Sequence, residues 1–210
     1  MTSFADPLTL GNGSTLANRF VLAPLTNLQS ATDGTLGDDE YHWLCMRAQG
    51  GFGLTMTCAA SVQHSGVGFP GQLGAHDDRH LPGLTRLAAG IKAHGSHAVV
   101  QLQHSGMRSQ ADYCDGVPQC PSDDEKTGAK AMTAEQVQAL VDDFVIAAAR
   151  AHFRIPELPV DVERDAEGVA VAQRPDLGGY AAPVGKRVVC GHRTVVIEPQ
   201  DLAQVALHVL

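Results

Sequence analysis

Gln101 lies in an apolar run, His97-Ala-Val-Val-Gln101-Leu102, that leads directly into Gln103-His104-Ser105-Gly106. A carboxamide donates and accepts hydrogen bonds at once. One enclosed in an apolar strand requires partners. Polar groups gathered where a strand ends point to a ligand site at the C-terminal face of an α/β sheet. Two shorter residues belong to comparable places. Thr26 closes the segment Ala23-Pro24-Leu25-Thr26, and Ala59 falls in the apolar run Leu54-Thr-Met-Thr-Cys-Ala-Ala60. Taken singly, Thr26 also reads as a turn hydroxyl after Pro24, and Ala59 as a small core residue. His104 reads as a structural histidine hydrogen-bonded near the strand end.

Other reactive side chains form no recognisable centre. The ten histidines include no HExxH and no HxH cluster with carboxylates, so metal binding is not expected. The five cysteines are odd in number and lack a CxxC pair, so neither a disulfide framework nor a zinc site is indicated. The acidic run Pro121-Ser-Asp-Asp-Glu125 reads as a solvated loop.

The elements that position these residues alternate. Asn12-Gly13 between Leu8-Thr-Leu10 and Ser14-Thr-Leu16 signals a small hairpin. Phe20-Val-Leu-Ala23 reads as a buried strand ended by Pro24. Asp38-Asp-Glu40 opens a helix that Gly50-Gly51 stops. Leu54–Ala60 is a second strand. A glycine-rich loop leads to a helix from His80 to Gly95, with Leu81, Leu84, Leu87, Ala88 and Ile91 at helical spacing. His97–Leu102 is the third strand, followed by a loop from Ser109 to about Ala131. Thr133-Ala-Glu-Gln136 is a capping box for a helix to about Ala151. Strand and helix in alternation predict a parallel α/β sheet. That order allows a (β/α)8 barrel or a doubly wound sheet equally. No GxGxxG follows the first strand, which disfavours a dinucleotide-binding Rossmann site.

Composition narrows the class. Hydrophobic residues make up 44% and charged residues 18%, as in globular proteins. The formal net charge of −8 and the lack of any basic block argue against a nucleic-acid surface. No apolar run reaches the ~18–20 residues of a membrane helix. The N-terminus lacks a charged region followed by an apolar core, so no signal peptide is read and a cytoplasmic location is expected.

Three stretches together carry a family resemblance: Asn18-Arg-Phe-Val-Leu-Ala-Pro24-Leu-Thr26-Asn27, Arg47-Ala-Gln-Gly-Gly51-Phe-Gly53-Leu54 and Gln101-Leu-Gln-His104-Ser-Gly106. They resemble the old yellow enzyme family of FMN-dependent NAD(P)H oxidoreductases, in family order over residues ~8–151. The resemblance implies a (β/α)8 barrel of the TIM type, present in its first three to four β/α units. It implies FMN as cofactor, NAD(P)H as electron donor and an enone-like small molecule as substrate. On the same ground Ala23, Pro24, Leu25 and Thr26 would lie against the flavin ring, with Thr26 hydrogen-bonding near O4. Ala59 would pack on the ring, and Gln101 would take its pyrimidine edge. The family often has Arg directly after the glycine of the third stretch. Here Met107 stands there, so Arg108 receives no role, and Arg47 is expected to pair with helix or loop groups.

The chain divides at residue 151 on this reading, with 152–210 a divergent tail. The family's next strand carries a His-x-x-His or His-x-x-Asn pair that binds substrate, and later strands a glycine-rich phosphate site. Neither His152-Phe-Arg-Ile155 nor Gly191-His192-Arg-Thr194 is that pair, and Gly178-Gly179 stands isolated. Instead Val160–Arg164 with Val169–Gln173, and Arg187–Cys190 with Arg193–Ile197, alternate like two hairpins, and Gln200–Leu210 reads as a short helix. A frameshifted or truncated product is the most economical account, beside a fusion or a genuine replacement. No catalytic residue is assigned, and catalysis by this chain is expected to be weak or absent. The alternative is a non-catalytic half barrel whose open edge pairs with itself or another chain.

Overall fold

The structure is a computed structural model that describes residues 2–11, 13–114 and 116–152 and, beyond them, four short strands. Strands β1 (Leu8–Thr9) and β2 (Thr15–Leu16) pair antiparallel, closed by a turn in which Gly13 takes φ +86°. This is the expected hairpin. β3 (Val21–Leu22) follows, then helix α1 (Asp38–Gln49), strand β4 (Leu54–Ser61), helix α2 (Leu81–Lys92) and strand β5 (His97–Gln103). β6 (Gln119–Cys120) and β7 (Lys130–Ala131) then form a short parallel pair within a stretch expected to be loop. Helix α3 (Ala134–His152) begins at the expected capping box. Thr133 N–H donates to Gln136 Oε1 at 2.8 Å, and Gln136 N–H to Thr133 Oγ1 at 3.3 Å. In the tail, β8 (Val162–Arg164) pairs antiparallel with β9 (Ala170–Ala172), and β10 (Lys186–Cys190) with β11 (Arg193–Ile197). The helix expected over 200–210 lies outside the described residues.

The centre of the fold is a parallel sheet in the order β3-β4-β5. Parallel strands are connected through α1 and α2, which cover one face. Leu22 and Ala98 pack there against Leu44, Ala48, Leu87 and Ile91. Further along, Cys58, Ala60, Val100 and Leu102 pack against Leu84, Ala147 and Ala148, which brings α3 onto the same layer. On the opposite face Leu54 and Val99 are covered by Leu16, with Leu8 and Leu10 beside them, so the hairpin closes the lower end. Two-sided cover explains why β4 reads as a continuous apolar run instead of an alternating one.

β4 contains a bulge. Met56 pairs with Val99 and Ala59 with Gln101, so Thr57 and Cys58 oppose Val100 alone. Register partners share a face, so the extra residue moves Ala59 onto the face of Val99 and Gln101 and leaves Cys58 among the helices. Thr57 satisfies the groups the bulge sets free: its hydroxyl donates to Cys58 O at 2.7 Å and accepts from Gln101 N–H at 3.3 Å. Thr57→Val keeps the shape and strands both groups. The expected cost is about 1–2 kcal/mol, seen as a lower urea midpoint at unchanged slope. An unchanged midpoint would mean the hydroxyl does not support the bulge.

One expectation is corrected. Phe20–Ala23 reads as a buried strand, but Phe20 and Val21 are 52% and 46% exposed and the strand keeps only Val21 and Leu22. β3 is an outer strand of the sheet, and on its far side no described strand pairs with it. Apolar composition alone does not report which faces are covered.

Candidate functional site

The three parallel strands end at one edge of the sheet. There Ala59 and Gln101 are register partners on the face away from the helices. The segment Ala23-Pro24-Leu25-Thr26 leaves β3 at the same edge, with Ala23, Leu25 and Thr26 exposed and Pro24 half-buried. Ala59 and Gln101 thus share one face, and the segment Ala23–Thr26 follows β3 at the same end of the sheet. Ala59 contributes only a methyl group, and Gln101 is half-buried beside it. Among the described residues the Gln101 carboxamide has no hydrogen-bond partner, while its backbone N–H donates to Thr57 Oγ1 at 3.3 Å. A partly buried amide free on both ends is suited to a ligand edge that presents a donor and an acceptor together.

Amides and glycines frame this edge. Gln103, two residues on, accepts from Gln72 Nε2 at 2.7 Å and donates to Ser105 Oγ at 2.8 Å. His104 Nδ1 accepts from Gly106 N–H at 3.0 Å, which places the ring proton on Nε2. Burial holds this imidazole below its ordinary value, so it stays neutral. Its Nε2 is buried without a partner among the described residues. The structural role expected for His104 accounts for Nδ1 only.

The loop between β4 and α2 lies close on these residues. A Cβ at Gly66 would stand 2.3 Å from His104 Cδ2, and one at Gly68 2.1 Å from Ser105 Oγ. Gly66→Ala is expected to push the imidazole off its Gly106 contact and to cost about 1–3 kcal/mol. Thermal melting together with the His104 ring resonances checks this. A variant with the native melting point and an unmoved ring would contradict the close approach.

Below the edge lies a buried carboxylate that was read in sequence only as one of three acids at a helix start. Glu40 is 0% exposed. Its Oε1 accepts from the Cys58 thiol at 2.9 Å and its Oε2 from Ser30 Oγ. Burial first, and then the neighbouring Glu40, pushes the Cys58 thiol far up, so it is a donor and not a nucleophile. Glu40 therefore ties α1 to the loop after β3 and to the bulge beside Ala59. The signal available in sequence was spacing: Glu40, Leu44 and Ala48 form one helical stripe, and all three are buried.

Arg47 stacks over Trp43, 4.5 Å from the ring centroid, and so meets a residue of its own helix as expected. The acidic loop is solvated and locally paired: Asp123 binds Lys130 Nζ at 3.0 Å and caps Ala131 N–H at 2.8 Å. Of the tail positions weighed for a substrate-binding His pair and a phosphate site, His152 is the last residue of α3 and Arg193 and Thr194 begin β11, while 153–155, Gly178, Gly179, Gly191 and His192 lie outside the described residues.

Comparison with known proteins agrees with this arrangement. Residues 3–154 match the model of the NADH:flavin oxidoreductase / NADH oxidase family. The probable NADH-dependent flavin oxidoreductase YqiG of Bacillus subtilis (strain 168) is 38% identical over 153 residues, which is 70% of this chain and 40% of that protein. The NADH:acrylate oxidoreductase of Vibrio harveyi is 32% identical over 157 residues, 72% of this chain and 16% of that protein. Among solved structures, a 2-naphthoyl-CoA reductase bound to 2-naphthoyl-CoA superposes with TM-score 0.67 at 28% identity, covering 70% of this chain and 25% of the other. The old yellow enzyme homologue of Zymomonas mobilis gives 0.66 at 24%, covering 71% and 45%, a likeness of fold. The chain thus spans less than half the length of these relatives, and its three β/α units are part of a (β/α) barrel of the TIM type. By the match over residues 3–154, the chain belongs to the NADH:flavin oxidoreductase / NADH oxidase family.

Proposed function

We propose that this chain carries the flavin-ring end of an FMN-dependent NAD(P)H oxidoreductase of the old yellow enzyme type, acting on an electron-poor alkene. The observation that carries the reading is the free carboxamide of Gln101 beside Ala59 at the strand ends. Those residues fit the polar edge of an isoalloxazine: Gln101 would donate to and accept from the pyrimidine ring, and Ala59 would leave room for its plane. Thr26 would donate its hydroxyl near O4, with Ala23, Pro24 and Leu25 lining the ring. Bound FMN supplies a group that accepts and gives up hydride. The name of the Vibrio relative pairs NADH with acrylate, an alkene of this class.

On this reading the described residues supply the ring site, with no assigned proton donor or substrate-binding pair among them, and catalysis by this chain is expected to be weak or absent. The assay is anaerobic NADH or NADPH oxidation with 2-cyclohexenone after loading with FMN. Binding of FMN at one per chain without enone turnover fits the proposal. Turnover would overturn the expected weakness, and failure to take up FMN would overturn the cofactor reading.

A second reading is favoured by a separate observation. Val21 of the outer strand β3, and Leu25 and Leu28 of the loop that follows it, are 46%, 52% and 56% exposed. An apolar rim of this kind promotes association, here with another copy of the chain. A defined oligomer without flavin would favour that reading over the first.

A further inference from the structure

Two amides stand at neighbouring positions on the site-facing side of β5, and they are held differently. The Gln101 carboxamide has no partner among the described residues, while Gln103 is bound at both ends. Residues two apart on a strand are separated by roughly 7 Å, within reach of two glutamine side chains that turn toward each other. What prevents them from doing so is Gln72. It is 3% exposed and lies in the loop between β4 and α2. Its Oε1 accepts from Gly68 N–H at 2.8 Å, and its Nε2 donates to Ala59 O at 3.0 Å and to Gln103 Oε1 at 2.7 Å.

This pattern admits one orientation. An amide flipped at Gln72 would set Nε2 against the Gly68 N–H and an oxygen against two oxygens. With Gln72 fixed, Gln103 must turn its oxygen toward Gln72, which leaves its nitrogen for Ser105. The same side chain caps the carbonyl of Ala59, the register partner of Gln101. Chain order gives no hint of this: the bonds run over 13 and 31 residues.

We infer that Gln72 is a positioning residue for the ring site, holding Gln103 and the Ala59 carbonyl so that Gln101 keeps an unshared carboxamide. The inference rests on the FMN reading above. Gln72→Met preserves length and apolar stem and removes the amide. Gln103 is then released on one side and competes for Gln101. FMN affinity is expected to fall about tenfold, the weight of one hydrogen bond between partly buried groups, and the visible spectrum of the bound flavin to shift.

The test is a cycle of FMN titrations on the whole chain, followed by fluorescence quenching, with melting temperature recorded for each protein. In a Gln103→Met background no competing amide exists, so Gln72→Met is expected to cost less than about threefold in affinity while lowering the melting temperature as it does alone. Equal losses of affinity in both backgrounds would show a merely structural role and overturn the inference. Should Gln72→Met fail to fold, Ser105→Ala frees the other end of Gln103 without touching the core. A severalfold loss of FMN affinity at unchanged melting temperature is then expected, and no loss would overturn the inference. Native protein that binds FMN while none of these variants changes affinity refutes the role of Gln72 alone. Native protein that takes up no FMN refutes the ring site and the inference together.

Discussion

Glu40→Ala is expected to lower the unfolding free energy by about 2–4 kcal/mol, a large share of a small domain's stability. Two mechanisms combine. The substitution opens a cavity at a fully buried position, and it leaves the Ser30 hydroxyl and the Cys58 thiol without their acceptor. Because Glu40 joins α1, the loop after β3 and the β4 bulge, the loss falls on three segments that meet next to Ala59. Glu40→Gln keeps the volume and one acceptor oxygen, so it is expected to cost only about 1 kcal/mol. Urea unfolding of the three proteins measures both. A midpoint for Glu40→Ala within error of the native value would show that the buried carboxylate does not hold these segments.

Gln101→Leu is expected to weaken FMN binding by roughly tenfold to a hundredfold, because the ring's polar edge would meet an apolar side chain and go unsatisfied, at about 1–3 kcal/mol. The fold should be little affected. The carboxamide makes no hydrogen bond among the described residues, and the backbone N–H that Thr57 accepts is unchanged. Titration with FMN and thermal melting separate the two effects. Lost affinity at unchanged melting temperature is the expected result. Unchanged affinity would remove Gln101 from the site, and lost stability with lost affinity would make it a structural amide.

The elements were legible wherever local chemistry decides. Asn12-Gly13 marks the hairpin, Gly50-Gly51 ends α1, and Thr133 with Gln136 caps α3 through contacts three residues apart. Gln101 and Ala59 could be picked out singly, and the family order of the motifs put them in one site. Their meeting side by side depends on the Thr57–Cys58 bulge, which the apolar run Leu54–Ala60 does not announce, since a run buried on both faces has no alternation to break. Glu40 was indistinct among Asp38 and Asp39, because three acids suit a helix start equally well, and only the partners at Ser30 and Cys58 set it apart. Gln72 had no local signal, since its partners lie on β4, β5 and its own loop. Phe20 and Val21 read as buried on composition, and their exposure follows from the edge position of β3.

The central claim is that the open ends of β3, β4 and β5 form a flavin-ring site. The visible absorption spectrum of the chain purified without added flavin, followed by titration with FMN, tests it most directly. A flavin band that travels with the protein, or saturates at one FMN per chain on titration, is the predicted result. A colourless protein whose titration leaves the FMN spectrum and fluorescence unchanged would contradict it.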